Sequence, residues 1–207
     1  METLKVRRQE RALILRTHRY GDADLIVHAL NSEGGRLTLF ARSALKSKKR
    51  FGGGVLEPTH YVQIAYEDRR SKIGGDSEMY TLHEASLLQD FAELRSDYDR
   101  LQTALRLVQT VDRVVGDMVG GSPEVFNLLG NALRALMRSS SPERLHTHFC
   151  VRLLASQGVL ENESEASRLA AQPIQAHAES ALDDLDWRRL SREADRALCA
   201  YAETGAV

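Results

Sequence analysis

The spacing of apolar residues along the chain changes at about residue 90. Before that point, short apolar runs and alternation of apolar with polar residues predominate, as expected for strands. After it, apolar residues recur at steps of three and four, as expected for helices. The early pattern predicts five short strands, at residues 11–17, 25–30, 36–42, 60–66 and 79–85.

A short basic insert separates the third and fourth of these strands. Ser43 to Phe51 can form one or two helical turns, and Gly52-Gly-Gly54 closes the insert. Five strands with a helical insert after the third is the plan of an oligonucleotide-binding (OB) barrel. We therefore predict an OB-fold domain over residues 1–86.

The remainder, residues 87–207, is predicted to be an all-helical domain for packing and partner docking, which makes the chain an α+β protein. Two helices begin with the same Ser-Pro-Glu signal, at Ser122 and Ser141, because Ser caps a helix and Pro is tolerated in its first turn. Residues 158–182 give no assignable pattern. The first helix is predicted to bury a stripe formed by Leu94, Tyr98, Leu101, Leu105, Val108, Val111 and Val115.

Charge is distributed unevenly, although the whole chain has a net charge of only −1. Residues 1–83 contain 15 Lys and Arg against 10 Asp and Glu, whereas the rest contains 13 against 19. A basic part joined to an acidic part indicates a polyanionic partner for the first. No apolar run approaches the roughly 18 residues that span a bilayer, and residues 1–9 are polar, so no signal peptide is predicted. The widely separated Cys150 and Cys199 are expected to be reduced thiols. We expect a soluble, cytoplasmic protein without a membrane partner.

The third strand and the insert carry the strongest functional signal. Six basic residues and no acidic one occur between positions 36 and 50. Phosphate binding needs several cations along a groove and no carboxylate to cancel them, whereas the alternative is a solvated Lys-rich loop. Strand alternation predicts that Arg36 and Arg42 share one face. The predicted cations that contact the phosphates of a nucleic acid are Arg36, Arg42, Lys46, Lys48, Lys49 and Arg50.

Phe40 is the candidate aromatic residue for stacking on a nucleic-acid base. It has the same parity in the third strand as Arg36 and Arg42. Base stacking on an aromatic ring contributes about 1–3 kcal/mol per base. Core filling is the alternative role for this ring.

No metal, cofactor or catalytic site is predicted. His146, His148 and Cys150 resemble a ligand string, but on a helix only His146 and Cys150 share a face, and a structural zinc site needs four ligands. Gly52-Gly-Gly54 is not followed by the Lys-Ser/Thr of a phosphate loop. We therefore expect that the protein is not an enzyme.

Several segments, taken in order, resemble the bacterial recombination mediator family RecO. They are Ala12-Leu-Ile-Leu-Arg-Thr17, Tyr20-Gly-Asp-Ala-Asp24, Glu33-Gly-Gly-Arg-Leu37, Phe51-Gly-Gly-Gly-Val-Leu-Glu-Pro58, Leu82-His-Glu-Ala85, Tyr98-Asp-Arg-Leu101, Pro123-Glu-Val-Phe-Asn-Leu-Leu129 and Phe149-Cys-Val-Arg-Leu-Leu154. The resemblance implies an OB domain joined to a helical domain. It also implies single- and double-stranded DNA binding, annealing of complementary strands and help in loading RecA on SSB-coated DNA. The implied partners are RecR, the acidic C-terminal tail of SSB and, indirectly, RecA.

Two departures from the family pattern affect what is carried over. Many members have a four-cysteine zinc module where this chain has Glu161-Asn-Glu-Ser164, so zinc binding by such a module is not expected. Members often have Arg just before the Phe that matches Phe149, in the region linked to the SSB tail, and Thr147 and His148 occupy those places instead. The partner-binding candidates are therefore Arg144, His148, Phe149 and Arg152.

The leading hypothesis from the sequence is a recombination mediator in DNA repair. A non-DNA-binding adaptor that recruits replication and repair proteins through its helical domain is one alternative, and it predicts no salt-sensitive DNA binding. An RNA-binding OB protein is another, and competition between single-stranded RNA and DNA distinguishes it.

Overall fold

The computed structural model describes residues 7–72, 78–115, 121–160, 164–178 and 182–204. The polar N-terminal residues 1–6 and the segment 161–163, on which sequence expectations rest, lie outside this part. The chain divides into two compact units, of which the first ends at Asp90 and the second begins at Phe91. The predicted boundary at 86/87 lies inside the last strand, which continues to Gln89.

The first unit is a closed five-stranded barrel. The strands are β1 (Arg7–Tyr20), β2 (Asp24–Asn31), β3 (Arg36–Ala41), β4 (Tyr61–Lys72) and β5 (Glu78–Gln89). Their order around the barrel is β1-β2-β3-β5-β4, and β3 pairs parallel to β5 while the other pairs are antiparallel. This connectivity confirms the predicted OB fold.

Every second side chain along the strands points inward, and these side chains fill the barrel. A register shift between Ile14 and Arg16 allows the long β1 to pair with both β2 and β4. Helix α1 (Lys48–Phe51) and a 3₁₀ turn (Gly52–Gly54) form the insert after β3. Phe51 of the insert joins a barrel core that includes Ala12, Ile14, Val27, Ala29, Leu37, Leu39, Ala41, Val62, Ile64, Tyr66 and Leu82.

The second unit consists of five helices and two 3₁₀ turns within the described ranges. The helices are α2 (Tyr98–Val114), α3 (Pro123–Leu136), α4 (Pro142–Ser156), α5 (Glu165–Ala170) and α6 (Asp184–Thr204), and the turns are Ala92–Ser96 and Ile174–Ala178. Both predicted Ser-Pro-Glu helix starts are correct. Ser122 accepts a capping hydrogen bond from the Glu124 amide, whereas the Ser141 side chain makes none.

Helix α4 lies at the centre of the second unit and packs against α2, α3, α5 and α6. Nine of its residues are buried, so its apolar surface extends well beyond one stripe. The predicted stripe of the first helix is wrong at Tyr98, which is 76% exposed. Helix α2 begins at Tyr98, and Leu94 belongs to the preceding 3₁₀ turn. The apolar spacing therefore predicted one helix where the structure has a turn followed by a helix. No helix in the described ranges is long and apolar enough to cross a membrane.

Candidate nucleic-acid interface

Hydrogen bonds to the β1–β2 turn fix the start of the insert after β3. Ser43 has a positive φ of 54°, and its amide donates to Asp24 Oδ1 at 2.6 Å. The Leu45 amide donates to the Ala23 carbonyl at 3.0 Å. The insert is therefore held against the first hairpin of the barrel.

Arg50 holds the two ends of the insert together. Its Nη2 donates to the Arg42 carbonyl at 2.8 Å, and its Nε donates to Ser47 Oγ at 3.2 Å. Its guanidinium lies 5.0 Å from the centre of the Phe51 ring, within range of a cation–π contact. Much of the donor capacity of Arg50 is thus used within the insert.

The other four cations of the insert point into solvent. Arg42, Lys46, Lys48 and Lys49 are exposed. In the part of the chain that the structure describes, no carboxylate forms an ion pair with any of them. We call these four residues the insert cluster.

Arg36 does not lie with the insert cluster. It pairs with Leu30 at the start of β3, whereas the strand ends at Ala41. At about 3.3 Å per residue, six residues separate Arg36 from Arg42 by up to about 20 Å. The expectation that both project from one strand face is wrong, because Arg42 follows the strand in a turn.

Phe40 projects from the outer side of β3, as its parity predicts, but it is not open to a base. Its side chain is 4% exposed and packs with Ile26 and Met79. The edge of its ring meets Tyr20 with centroids 5.9 Å apart. The predicted stacking role is therefore corrected to packing on the outer barrel surface.

The outer face of β1–β3 carries polar residues that the sequence analysis missed. Arg16 pairs with His28, which pairs with Thr38 on β3. The His18 and His28 rings meet edge to face with centroids 6.0 Å apart. The register shift after Ile14 places Arg16 and His18 on this face. The alternation of side chains along β1 predicts their position only when the bulge is placed correctly in the sequence. Together with Arg36, these residues form a row across the surface of strands 2 and 3, through which OB folds bind oligonucleotides.

A groove connects the end of β1 to the insert. Its volume is about 480 Å³, and its lining includes Thr17, His18 and Arg19 of β1 and Lys48 and Phe51 of α1. Gly53 and Gly54, with φ of 70° and 71°, form part of the rim. Exposed backbone, the cationic side chains of Arg19 and Lys48 and the carboxylate of Glu57 therefore line one open concavity of the barrel.

The predicted partner-binding residues of the helical unit fall into two groups. His148 and Phe149 are 0% exposed, so neither side chain is available to a partner, and that expectation is wrong for both. Arg152 donates to the Gln172 carbonyl at 3.1 Å. Arg144 pairs with Asp184 at 2.6 Å, and its guanidinium lies 5.8 Å from the Trp187 ring centre.

Arg144 lines a groove of about 890 Å³ between the N-terminal ends of α4 and α6. Arg188 and Arg192 also line it, together with Leu185, which is exposed, and the buried Trp187. The two acidic side chains in the lining are already paired, Glu143 with Arg106 and Asp184 with Arg144. The groove thus offers positive charge beside an apolar floor.

Comparisons with known proteins agree with this architecture. Residues 4–91 match the family described as "Recombination protein O N terminal". The chain is 30% identical to the DNA repair protein RecO of Nocardioides sp., over 77% of this chain and 63% of that protein. It is 33% identical to the DNA repair protein RecO of Thermodesulfovibrio yellowstonii, over 72% of this chain and 56% of that protein. The chain is 29% identical to the DNA repair protein RecO of Cutibacterium acnes, over 72% of this chain and 60% of that protein.

The chain spans between about half and two thirds of the length of these curated relatives. The matched N-terminal segment coincides with the barrel unit and its basic insert. Residues 4–91 therefore carry the N-terminal domain of the RecO family, and the chain is similar to DNA repair proteins RecO over about three quarters of its length.

Proposed function

We propose that this protein is a non-catalytic recombination mediator in DNA repair, and that its barrel binds single- and double-stranded DNA through the insert cluster. The observation that carries the proposal is that Arg42, Lys46, Lys48 and Lys49 are exposed and have no carboxylate partner in the described chain. Each such cation can replace a counterion condensed on the phosphate backbone, which favours binding most at low salt.

The groove beside the insert gives the phosphodiester chain a path. A strand that follows it passes Lys48 and Arg19 and then reaches the row of Arg16, His28 and Arg36 on the outer face of β1–β3. Contacts of this kind neutralise phosphates without reading the bases. Two complementary strands held in this way repel each other less, so the protein anneals them without ATP or metal, and base pairing supplies the energy.

Reversing the charge of two insert residues tests the DNA site. Lys48→Glu with Lys49→Glu is expected to reduce single-stranded DNA affinity by at least tenfold at low salt. It is also expected to flatten the dependence of log affinity on log salt by about 1.4, because about 0.7 is lost for each phosphate contact on a single strand. Strand annealing of complementary oligonucleotides should fall in parallel. Unchanged affinity at low salt, with the circular dichroism spectrum preserved, contradicts the site.

The helical unit is proposed to dock protein partners. The groove of Arg144, Arg188 and Arg192, with its apolar floor at Trp187, suits the acidic C-terminal tail of SSB. RecR and RecA complete the proposed pathway, in which the protein acts on SSB-coated DNA and helps RecA to load. This activity places the protein in the cytoplasm, at the nucleoid.

A second double substitution provides the matched control. Arg188→Glu with Arg192→Glu makes the same change of charge in the helical unit. It should weaken binding of the SSB tail peptide by at least tenfold and leave binding of a bare oligonucleotide within twofold. The Lys48 and Lys49 variant should show the opposite pattern. Loss of DNA binding in both variants indicates a general charge effect and contradicts the assignment of two separate sites.

A further inference from the structure

Two metal-ligating side chains lie together on the inner side of α4. His146 and Cys150 are four residues apart, so they occupy the same face of the helix. Cys150 Sγ lies 3.7 Å from His146 Nε2 and 3.8 Å from Nδ1. Both side chains are buried. The thiol and the imidazole are therefore held side by side away from bulk solvent.

Asp195 of α6 adds a carboxylate to this pair. One ligand atom from each of His146, Cys150 and Asp195 lies within 4.8 Å of the other two. Asp195 is exposed, so the cluster has an open side toward solvent. No arrangement of this kind follows from the sequence pattern, because Asp195 is 45 residues beyond Cys150 and joins it only through the packing of α4 on α6.

We propose that His146, Cys150 and Asp195 bind one divalent transition-metal ion of the zinc type. With Zn–S of about 2.3 Å and Zn–N of about 2.0–2.1 Å, tetrahedral geometry puts sulfur and nitrogen about 3.6 Å apart. The separation of 3.7 Å already matches that edge. Asp195 closes the third position by a small side-chain rotation, and water takes the fourth on the exposed side. This site is distinct from a four-cysteine module, and it revises the expectation that the chain binds no metal.

Binding of the ion is coupled to proton release. The ion takes the place of the Cys150 thiol proton, which passes into solvent as the S–metal bond forms. The bound ion then joins α4 to α6 and stabilises the helical unit by mass action.

Arg106 of α2 is expected to weaken binding of the ion, so its substitution tests the proposal. Its Nη2 lies 3.3 Å from His146 Nδ1, while its Nη1 pairs with Glu143 at 2.9 Å. When Nε2 binds the ion, Nδ1 carries the ring proton and faces the guanidinium cation. Arg106→Gln replaces this repulsion with an amide oxygen that can accept the Nδ1 proton, as outer-shell partners of zinc ligands commonly do.

Cobalt(II) titration of the full chain tests the proposal. One equivalent of Co²⁺ should produce a thiolate-to-metal charge-transfer band in the near ultraviolet and the visible bands of a tetrahedral ion, and Zn²⁺ should displace it. Cys150→Ser should abolish the charge-transfer band, while Cys199→Ser, the control for the other thiol, should leave it intact. Absence of the band in the native chain, or its loss with Cys199→Ser alone, overturns the proposal.

Two variants at solvent-accessible positions test the site without disturbing the core. Asp195→Asn should weaken Co²⁺ binding by at least tenfold, and Arg106→Gln should tighten it by at least threefold. Zn²⁺ should raise the thermal unfolding temperature of the native chain and raise that of the Asp195 variant less at the same concentration. Equal Co²⁺ affinity in the native chain and in the Asp195 variant overturns the three-ligand site.

Discussion

Phe40 is the residue for which sequence and structure assign different roles. Its position in β3 is correctly predicted, yet Ile26, Met79 and Tyr20 cover its ring. We expect Phe40→Ala to lower the free energy of unfolding by about 3–5 kcal/mol, as for other buried Phe truncations. Phe40→Leu should cost less and keep DNA affinity within twofold. Urea unfolding with oligonucleotide binding checks this, and a large loss of affinity in a stable Phe40→Leu protein would restore the stacking role.

The two cysteines differ in their surroundings and should differ in reactivity. Cys150 is buried and its pKa is raised by burial to about 12, whereas Cys199 is exposed on α6. Because the thiolate is the reactive form, iodoacetamide should modify one thiol per native chain, at Cys199, and two after denaturation. Peptide mass spectrometry identifies the modified residue. Modification of Cys150 at a comparable rate in the native protein contradicts the buried placement.

At the residue scale, the sequence correctly predicted which face of β3 Phe40 and Arg36 point from, but it did not predict which side chains surround them. The parity of Phe40 and Arg36 is a local property of a strand, so alternation reveals it. Whether the outer surface at Phe40 is covered depends on β5 and on the end of β1, which are distant in sequence. Arg42 was misplaced for a different reason, since the strand ends one residue earlier, at Ala41.

The basic insert is the element on which the proposed DNA site depends, and Arg50 is its positioning residue. Arg50→Lys keeps the charge but cannot maintain both the Nη2 bond to the Arg42 carbonyl and the Nε bond to Ser47. We expect a three- to tenfold loss of DNA affinity with an unchanged salt slope. Amide hydrogen exchange across residues 43–54 should be faster. The control Lys49→Arg, also charge-conserving, should change neither quantity, and a wild-type exchange rate in Arg50→Lys contradicts the positioning role.

Helix prediction depended on signals at helix ends more than on periodicity. Ser-Pro-Glu located the starts of α3 and α4 because the capping chemistry is local. The stripe beginning at Leu94 ran through a 3₁₀ turn into α2, since apolar spacing alone does not mark where one element ends. The burial of His148 and the meeting of His146 with Asp195 depend on neighbouring helices, so no local pattern contains them.

At the scale of the molecule, the two units carry different chemistry. The insert of the barrel unit presents cations that have no carboxylate partner among the described residues, whereas the helical unit contains ion pairs such as Glu143 with Arg106 and Glu165 with Arg189. The separation of charge along the sequence predicted this division but not the arginine-lined groove within the acidic unit. This arrangement suits the proposed mediator role, in which one unit binds a polyanion and the other binds proteins.

The helical unit should be the acid-sensitive part of the molecule, because it buries neutral histidines. Burial lowers the pKa of His148 to about 4, the cations Arg152 and His177 lower it further, and the nearby backbone at Leu169 and Gln172 partly opposes the shift. Burial likewise lowers the pKa of His177, which contacts Ser139 Oγ at 2.7 Å. Below pH 6.5 the unfolded chain binds protons that the folded unit excludes. Stability is therefore present above that pH and is lost progressively toward pH 4, by up to about 3 kcal/mol for His148.

Trp187, the only tryptophan in the sequence, lies buried in α6 and reports on the helical unit alone. In EDTA, to remove any bound ion, its fluorescence should shift to the red between pH 6 and pH 4. Neither ring nitrogen of His148 has a hydrogen-bond partner among the described residues, so His148→Leu removes the titrating group without breaking a hydrogen bond. That variant should unfold at a lower pH than the wild type, with His28→Leu on the barrel as the matched control that leaves the midpoint unchanged. An identical acid midpoint in wild type and His148→Leu would show that the buried imidazole of His148 does not set the acid stability of this unit.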